Sequence, residues 1–254
     1  MRDIGLVLSG GGARGAAHIG VIQALEEFGI KVTRISGTSA GSIVGALYAQ
    51  GYTPKEMLEI TSQVTVLNSV RPSLAPGGLL RMDGLGQLLR NRLPVDFSKL
   101  KIPLTIAATE IRQGKVIYFD SGELVPAILS SCSIPGVFSP MAFNGNLYVD
   151  GGLLDNLPAR ALHGKCDFLI GSHCNKVSSS FDVTNMKLVI ERSLLMAIGA
   201  NTLQSKNLCD LVIEPSGLDK YSSYDIGKAK EIFELGYQFT KENFKQSHFE
   251  KILG

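Results

Sequence analysis

Two glycine turns, each entered from a short apolar run and each leading into helical spacing, constrain this chain more than any other feature. Residues 4–8, Ile-Gly-Leu-Val-Leu, are a continuous apolar run ending at Ser9-Gly10-Gly11-Gly12, as expected of a buried strand entering a tight turn. Residues 15–28 then place Ala16, Ile19, Ile22 and Leu25 at steps of three, with Gly29 as the stop. Residues 32–36 repeat the strand and Gly37-Thr38-Ser39-Ala40-Gly41 the turn, and a second helix continues through Leu47 to Gln50, ending at Gly51. Strand, turn and helix twice over predict a parallel sheet with helices on both faces. Glycine supplies 28 of 254 residues, above the roughly 18 expected at an average usage of about 7%. Glycine and proline together still fall well short of the roughly 25–30% that marks low-complexity chains, so the surplus belongs inside a folded protein.

The rest of the chain continues the pattern less regularly. Thr53-Pro54 opens a further helix, with the threonine as N-cap and the proline in the first turn. Residues 65–82 carry Pro72, Pro76, Gly77 and Gly78 without a sustained period and read as a long loop, a length usually tied to function or disorder. Strands are expected at 104–111 and 115–119, joined across Arg112-Gln113-Gly114, and at 147–150, 167–171 and 211–214. A terminal helix is expected over 225–246, with Ile232, Leu235, Phe239 and Phe244 toward the core. With no internal repeat and no separating linker, residues 1–254 are expected to form one domain.

Charge and cysteine usage narrow the partners. A net charge of +2 is too mild to predict nucleic-acid binding by electrostatics alone. The cysteines at 132, 166, 174 and 209 show no CxxC pair and no metal-ligand spacing, so they read as buried thiols in a reducing, cytoplasmic compartment. The five-residue apolar run before Ser9 is shorter than a signal-peptide core, and export is not expected. Residues 124–149 carry no charge, but Pro126, Pro135, Pro140, two glycines and four serines make them a helix and then buried turns rather than a membrane span. Residues 62–101 hold six basic against two acidic residues, with Leu67, Leu74, Leu79 and Leu80 interleaved. That stretch suits either a solvated basic face or peripheral docking on an anionic membrane surface.

The chemistry gathers at the turns. Gly37-Thr38-Ser39-Ala40-Gly41 matches G-x-S-x-G between a predicted strand and a predicted helix, where a tight turn lifts the serine Oγ from the sheet edge and the helix N-terminus favours developing negative charge. The loop Gly10 to Gly15 matches G-x-G-x-x-G, which admits a dinucleotide-binding reading. The acidic residue that such a site wants about 20 positions on is replaced by Arg34-Ile35-Ser36 and the serine turn. Beside a serine nucleophile, the same loop exposes successive N–H groups for an oxyanion: Gly10, Gly11 and Gly12 are the candidate donors, with Arg14 steadying the loop or meeting an anionic head group. A base is also needed. Asp150, closing a strand at Asp150-Gly151-Gly152, can serve directly or cap a turn. His173, after a strand and in the chain order Ser39, Asp150, His173, can complete a triad. His18, His163 and His248 are the remaining histidines.

Taken together, Gly-Gly-Gly-Ala-Arg-Gly at 10–15, Gly-Thr-Ser-Ala-Gly-Ser at 37–42 and Asp-Gly-Gly at 150–152 resemble the patatin-like phospholipase family, small bacterial forms included. Residues 130–140 resemble the family's segment before its aspartate, and Asp155-Asn156-Leu157-Pro158 the segment after it, so the likeness covers about 4–175. Cys132 stands where an alanine-serine pair is frequent. The resemblance implies a three-layer α/β/α sandwich with a mainly parallel central sheet. It also implies a Ser39–Asp150 dyad without histidine, an oxyanion hole on the glycine loop, and motif glycines at Gly15, Gly37, Gly41, Gly151 and Gly152. No metal or cofactor is implied, and the substrate class is acyl esters of lipids. Residues 176–254 carry no such likeness.

Overall fold

The computed structural model describes residues 2–66, 71–72, 80–176, 186–245 and 249. Its helices are α1 (Ala16–Glu27), α2 (Ala40–Gln50), α3 (Pro54–Val66), α4 (Asp83–Arg90), α5 (Leu124–Ser131), α6 (Gly152–Asp155), α7 (Met186–Lys206) and α8 (Ala229–Asn243). Its strands are β1 (Ile4–Leu8), β2 (Arg34–Thr38), β3 (Arg71–Pro72), β4 (Leu80–Arg81), β5 (Leu104–Glu110), β6 (Lys115–Phe119), β7 (Met141–Phe143), β8 (Asn146–Asp150), β9 (Phe168–Ser172) and β10 (Leu211–Ile213).

The main sheet runs β10-β9-β1-β2-β5-β8-β7, with β6 also paired to β5. From β10 to β5 every neighbour is parallel, as the strand–turn–helix alternation requires. Beyond β5 the sheet turns antiparallel, through β6, β8 and β7. The expectation of a mainly parallel sheet holds, and its antiparallel margin arises from connections such as 111–114, too short for a crossover helix.

Side-chain alternation along β1 sorts the two faces. Leu6 and Leu8 join the large cluster with Ile19, Ile22 and Leu25 of α1, Leu47 of α2 and Ile128 of α5. Val7 points the other way, into a smaller cluster with Leu157, Leu162 and Leu169. Helix α8 lies directly on α1 through two glycines: a Cβ on Gly20 would overlap Phe233 O, and one on Gly236 would overlap Ala17 O. The start of α3 is a reciprocal capping box, in which Thr53 N and Oγ1 donate to Glu56 Oε2 at 2.8 and 2.7 Å while Glu56 N donates to Thr53 Oγ1 at 3.3 Å.

Several expectations shift. The second strand begins at Arg34, two residues late, because Thr33 first spends its N–H and hydroxyl on Ile4 O. Within 65–82, Arg71–Pro72 pairs antiparallel with Leu80–Arg81, and the intervening part of that loop lies outside the described residues. The uncharged stretch contains α5 and then β7 and part of β8, and its residues 134–141 are half-buried, or exposed at Gly136, not buried turns. No helix among the described residues is long and apolar enough to cross a membrane.

Candidate active site

Ser39 sits at the carboxyl end of β2, immediately before α2, with φ +51°. Positive φ is rare for a residue with a side chain and is a local cost that its surroundings must offset. Here the Ser39 N–H donates to Ser131 Oγ at 2.8 Å, and that hydroxyl donates to Ala107 O at 2.6 Å. The Ser39 carbonyl accepts from Ser42 N at 2.9 Å and from Ser42 Oγ at 2.6 Å. The flanking glycines supply room. A Cβ on Gly41 would overlap Leu8 O and one on Gly37 would come within 2.5 Å of Gly41 O, so the elbow folds against itself and against the end of β1. A Cβ on Gly15 would sit 2.6 Å from Ala40 Cβ.

Register brings the acid to the serine. Thr38 pairs with Ala107 on β5, and the next β5 residue, Ala108, pairs with Asp150. The ends of β2 and β8 therefore meet at adjacent rungs of one strand. Ser39 Oγ donates to Asp150 Oδ2 at 2.6 Å, and Gly152 N donates to the other carboxylate oxygen at 2.8 Å. Gly151 permits the approach, since a Cβ there would overlap Ala107 O. Both side chains are buried, Ser39 at 6% and Asp150 at 8% exposure. Burial pushes the Asp150 carboxyl up to about 6, against the opposing pull of the hydrogen bonds from Ser39 and Gly152.

The glycine loop lies on the same ground. A Cβ built on Gly10 would fall 3.3 Å from Ser39 Cβ. The Gly10 N–H, however, donates to Asn156 O at 3.1 Å, so of the three expected oxyanion donors Gly10 is already committed. Gly12, at φ +57°, packs against Ser223, leaving no space for a Cβ. Arg14 is buried and donates to Ser223 Oγ at 2.9 Å, a loop-steadying contact; its Nε has no partner among the described residues. Sequence reasoning missed Ser131, Asn156 and Ser223, because only the fold places them beside the turns.

The histidines lie elsewhere in the network. His173 Nδ1 pairs with Glu214 Oε1 at 2.7 Å, and Lys206 Nζ meets the same oxygen at 2.6 Å. Burial holds the His173 imidazole below its ordinary value, partly opposed by its bond to Glu214. His18 is fully buried behind the glycine loop, His163 is exposed, and His248 lies outside the described residues. Cys132 and Cys174 are buried as expected, whereas Cys166 and Cys209 are half-exposed; all four are free thiols.

A family model described as patatin-like phospholipase matches residues 6–163. An uncharacterized NTE family protein of Mycobacterium bovis is 40% identical over 164 residues, a match covering 63% of this chain and 46% of that protein. Lysophospholipase NTE1 of Kluyveromyces lactis is 29% identical over 281 residues, covering 93% of this chain and 19% of that protein. The chain thus spans less than half the length of these curated relatives. Among solved structures, VipD from Legionella pneumophila superposes with a TM-score of 0.55 at 18% identity, over 95% of this chain and 66% of that one, a likeness of fold.

Proposed function

Because the chain belongs to the patatin-like phospholipase family, we propose that it is a serine acyl hydrolase cleaving carboxylic ester bonds of phospholipids or lysophospholipids through a Ser39–Asp150 dyad, with residues 1–254 acting as one domain. The observation that carries the proposal is the 2.6 Å hydrogen bond from Ser39 Oγ to Asp150 Oδ2 at a strained, buried elbow. Asp150 takes the hydroxyl proton as Oγ attacks the ester carbonyl. The oxyanion is met by the N–H groups of Gly11 and Gly12. As the intermediate collapses, the alkoxide leaves with the proton from Asp150, and Ser39 carries the acyl group. Asp150 then takes a proton from water as the water attacks the acyl enzyme, the carboxylic acid departs, and the proton returns to Ser39 Oγ. A carboxyl raised to about 6 is ionised at neutral pH yet more basic than an ordinary aspartate, which suits a general base. The lysophospholipase among the relatives supports a lipid ester as substrate.

The triad reading requires His173 to meet Asp150, and the pairing of His173 with Glu214 speaks for the dyad. Replacing Ser39 with Ala is expected to abolish hydrolysis of a medium-chain chromogenic ester and of a lysophospholipid, while His173→Ala retains most of it. Activity in the Ser39 variant, or equal loss in both variants, would overturn the dyad. Four unpaired cysteines support residence in a reducing compartment such as the cytoplasm, and the basic stretch 62–101 supports peripheral contact with anionic membrane.

A further inference from the structure

Behind the glycine loop lies a buried network that the reaction above does not use. Ser9 Oγ donates to Gly10 O at 2.9 Å, and Cys174 Sγ donates to the same oxygen at 3.3 Å. The Cys174 N–H donates to Ser9 Oγ at 3.1 Å. His18 closes the group, with Nδ1 2.7 Å from Ser172 Oγ and Nε2 2.9 Å from Ser9 O. Ser9, His18, Ser172 and Cys174 are all at most 1% exposed. Nε2 also lies 3.5 Å from Cys174 Sγ, a contact that, against burial, draws the imidazole up and the thiol down. With both groups neutral, every donor finds an acceptor: the Ser172 hydroxyl donates to Nδ1, Nε2–H to Ser9 O, and the Ser9 hydroxyl and the thiol to Gly10 O. Unmet polar groups in such a place are costly, which favours that arrangement.

Two donors therefore hold the Gly10 carbonyl on the inner side of the loop, while Asn156 O fixes the Gly10 N–H. The next peptide is trans, so its N–H, that of Gly11, points opposite to its C=O. Fixing the oxygen inward turns the Gly11 N–H outward, on a loop whose preceding residue borders Ser39. The fit is tight, because a Cβ on Gly11 would overlap Cys174 Sγ. Resting on the acyl-hydrolase reading, we propose that Cys174 and Ser9 are positioning residues that aim the Gly11 N–H at the oxyanion by holding the Gly10 carbonyl from behind.

The test measures kcat and KM for a medium-chain p-nitrophenyl ester in Cys174→Ala, Cys174→Ser, Ser9→Ala and Ser39→Ala beside the wild type. Losing an oxyanion donor outright costs about 10²–10³ in turnover, so a mis-aimed one is expected to cost about tenfold or more in kcat. Because the contact matters only in the transition state, KM stays within about twofold. Cys174→Ser keeps a donor and is expected to recover most of the loss, which a mere packing role would not produce. Full kcat in Cys174→Ala with Ser39→Ala inactive would overturn the proposal, as would a serine variant no better than the alanine. If Cys174→Ala does not fold, Ser9→Ala carries the same expectation, and an unchanged kcat there overturns it. Equal turnover by the wild type and Ser39→Ala would instead overturn the function on which the proposal rests.

Discussion

At the scale of single residues, the proposed chemistry turns on Asp150. Its carboxyl, raised from 3.8 to about 6 by burial, must be ionised to take the serine proton, so kcat/KM is expected to fall about tenfold per pH unit below about 6. The same shift has a stability consequence of definite sign. Between 3.8 and about 6 the folded chain holds a proton that the unfolded chain has released, so this group's contribution to stability declines as pH rises through that window. At about 1.4 kcal/mol per unit, the full loss is on the order of 2–3 kcal/mol. Asp150→Asn removes the ionisation while offering an oxygen to Gly152 N–H and an amide donor to Ser39 Oγ. It is expected to be inactive yet more stable than the wild type at pH 8, with the difference vanishing at pH 4 in denaturant titrations. A less stable variant at pH 8 would contradict the burial argument. Ser39, Asp150 and the glycines were legible in the sequence because each sits in a short motif whose spacing reflects a backbone demand. Ser131 and Asn156, which brace them, lie in segments that carried the family resemblance, but no local spacing assigned them that role.

At the scale of elements, glycine separates into positions that need the absence of a side chain and positions that do not. A methyl group on Gly41 would overlap Leu8 O and lie 2.6 Å from Ser9 O, and backbone oxygens at a strand end cannot step aside. Gly41→Ala is expected to cost about 3 kcal/mol or more, the upper range for overpacking. Gly199, inside α7 with open space around its Cα, gives the opposite expectation: Gly199→Ala stabilises by about 1 kcal/mol, the ordinary helix-propensity difference. Thermal melting of the two variants checks both signs. Helix α7 itself left no readable pattern in the sequence. Among the described side chains, Met186, Ile190, Met196 and Leu203 are exposed while the fully buried positions are the polar Thr202 and Ser205, so among them no fully buried apolar stripe marks an inner face. The elements 4–8 and 15–28 were readable because their apolar positions are the core positions.

At the scale of the whole molecule, the candidate site is a long-range product: its serine and aspartate are 111 positions apart and meet because β5 carries β2 on one set of rungs and β8 on the next. Alternating strand and helix signals announced the parallel half of the sheet. They did not announce the antiparallel margin, since strand order is decided by pairing partners far apart in sequence. Within the basic stretch 62–101, Arg90, Lys99 and Lys101 are exposed, with the apolar Val95 exposed beside them in sequence. If it docks on lipid, vesicles containing anionic phospholipid should retain the protein more strongly than neutral ones at low ionic strength, and salt should abolish the difference. Equal retention would rule out membrane docking without touching the chemistry. The chemistry itself is tested most directly by treating the native protein with a fluorophosphonate and mapping the adduct by mass spectrometry. One phosphonylated residue is expected, Ser39, with labelling and ester turnover lost together in Ser39→Ala; an unlabelled Ser39 in protein that still turns over ester would contradict the dyad.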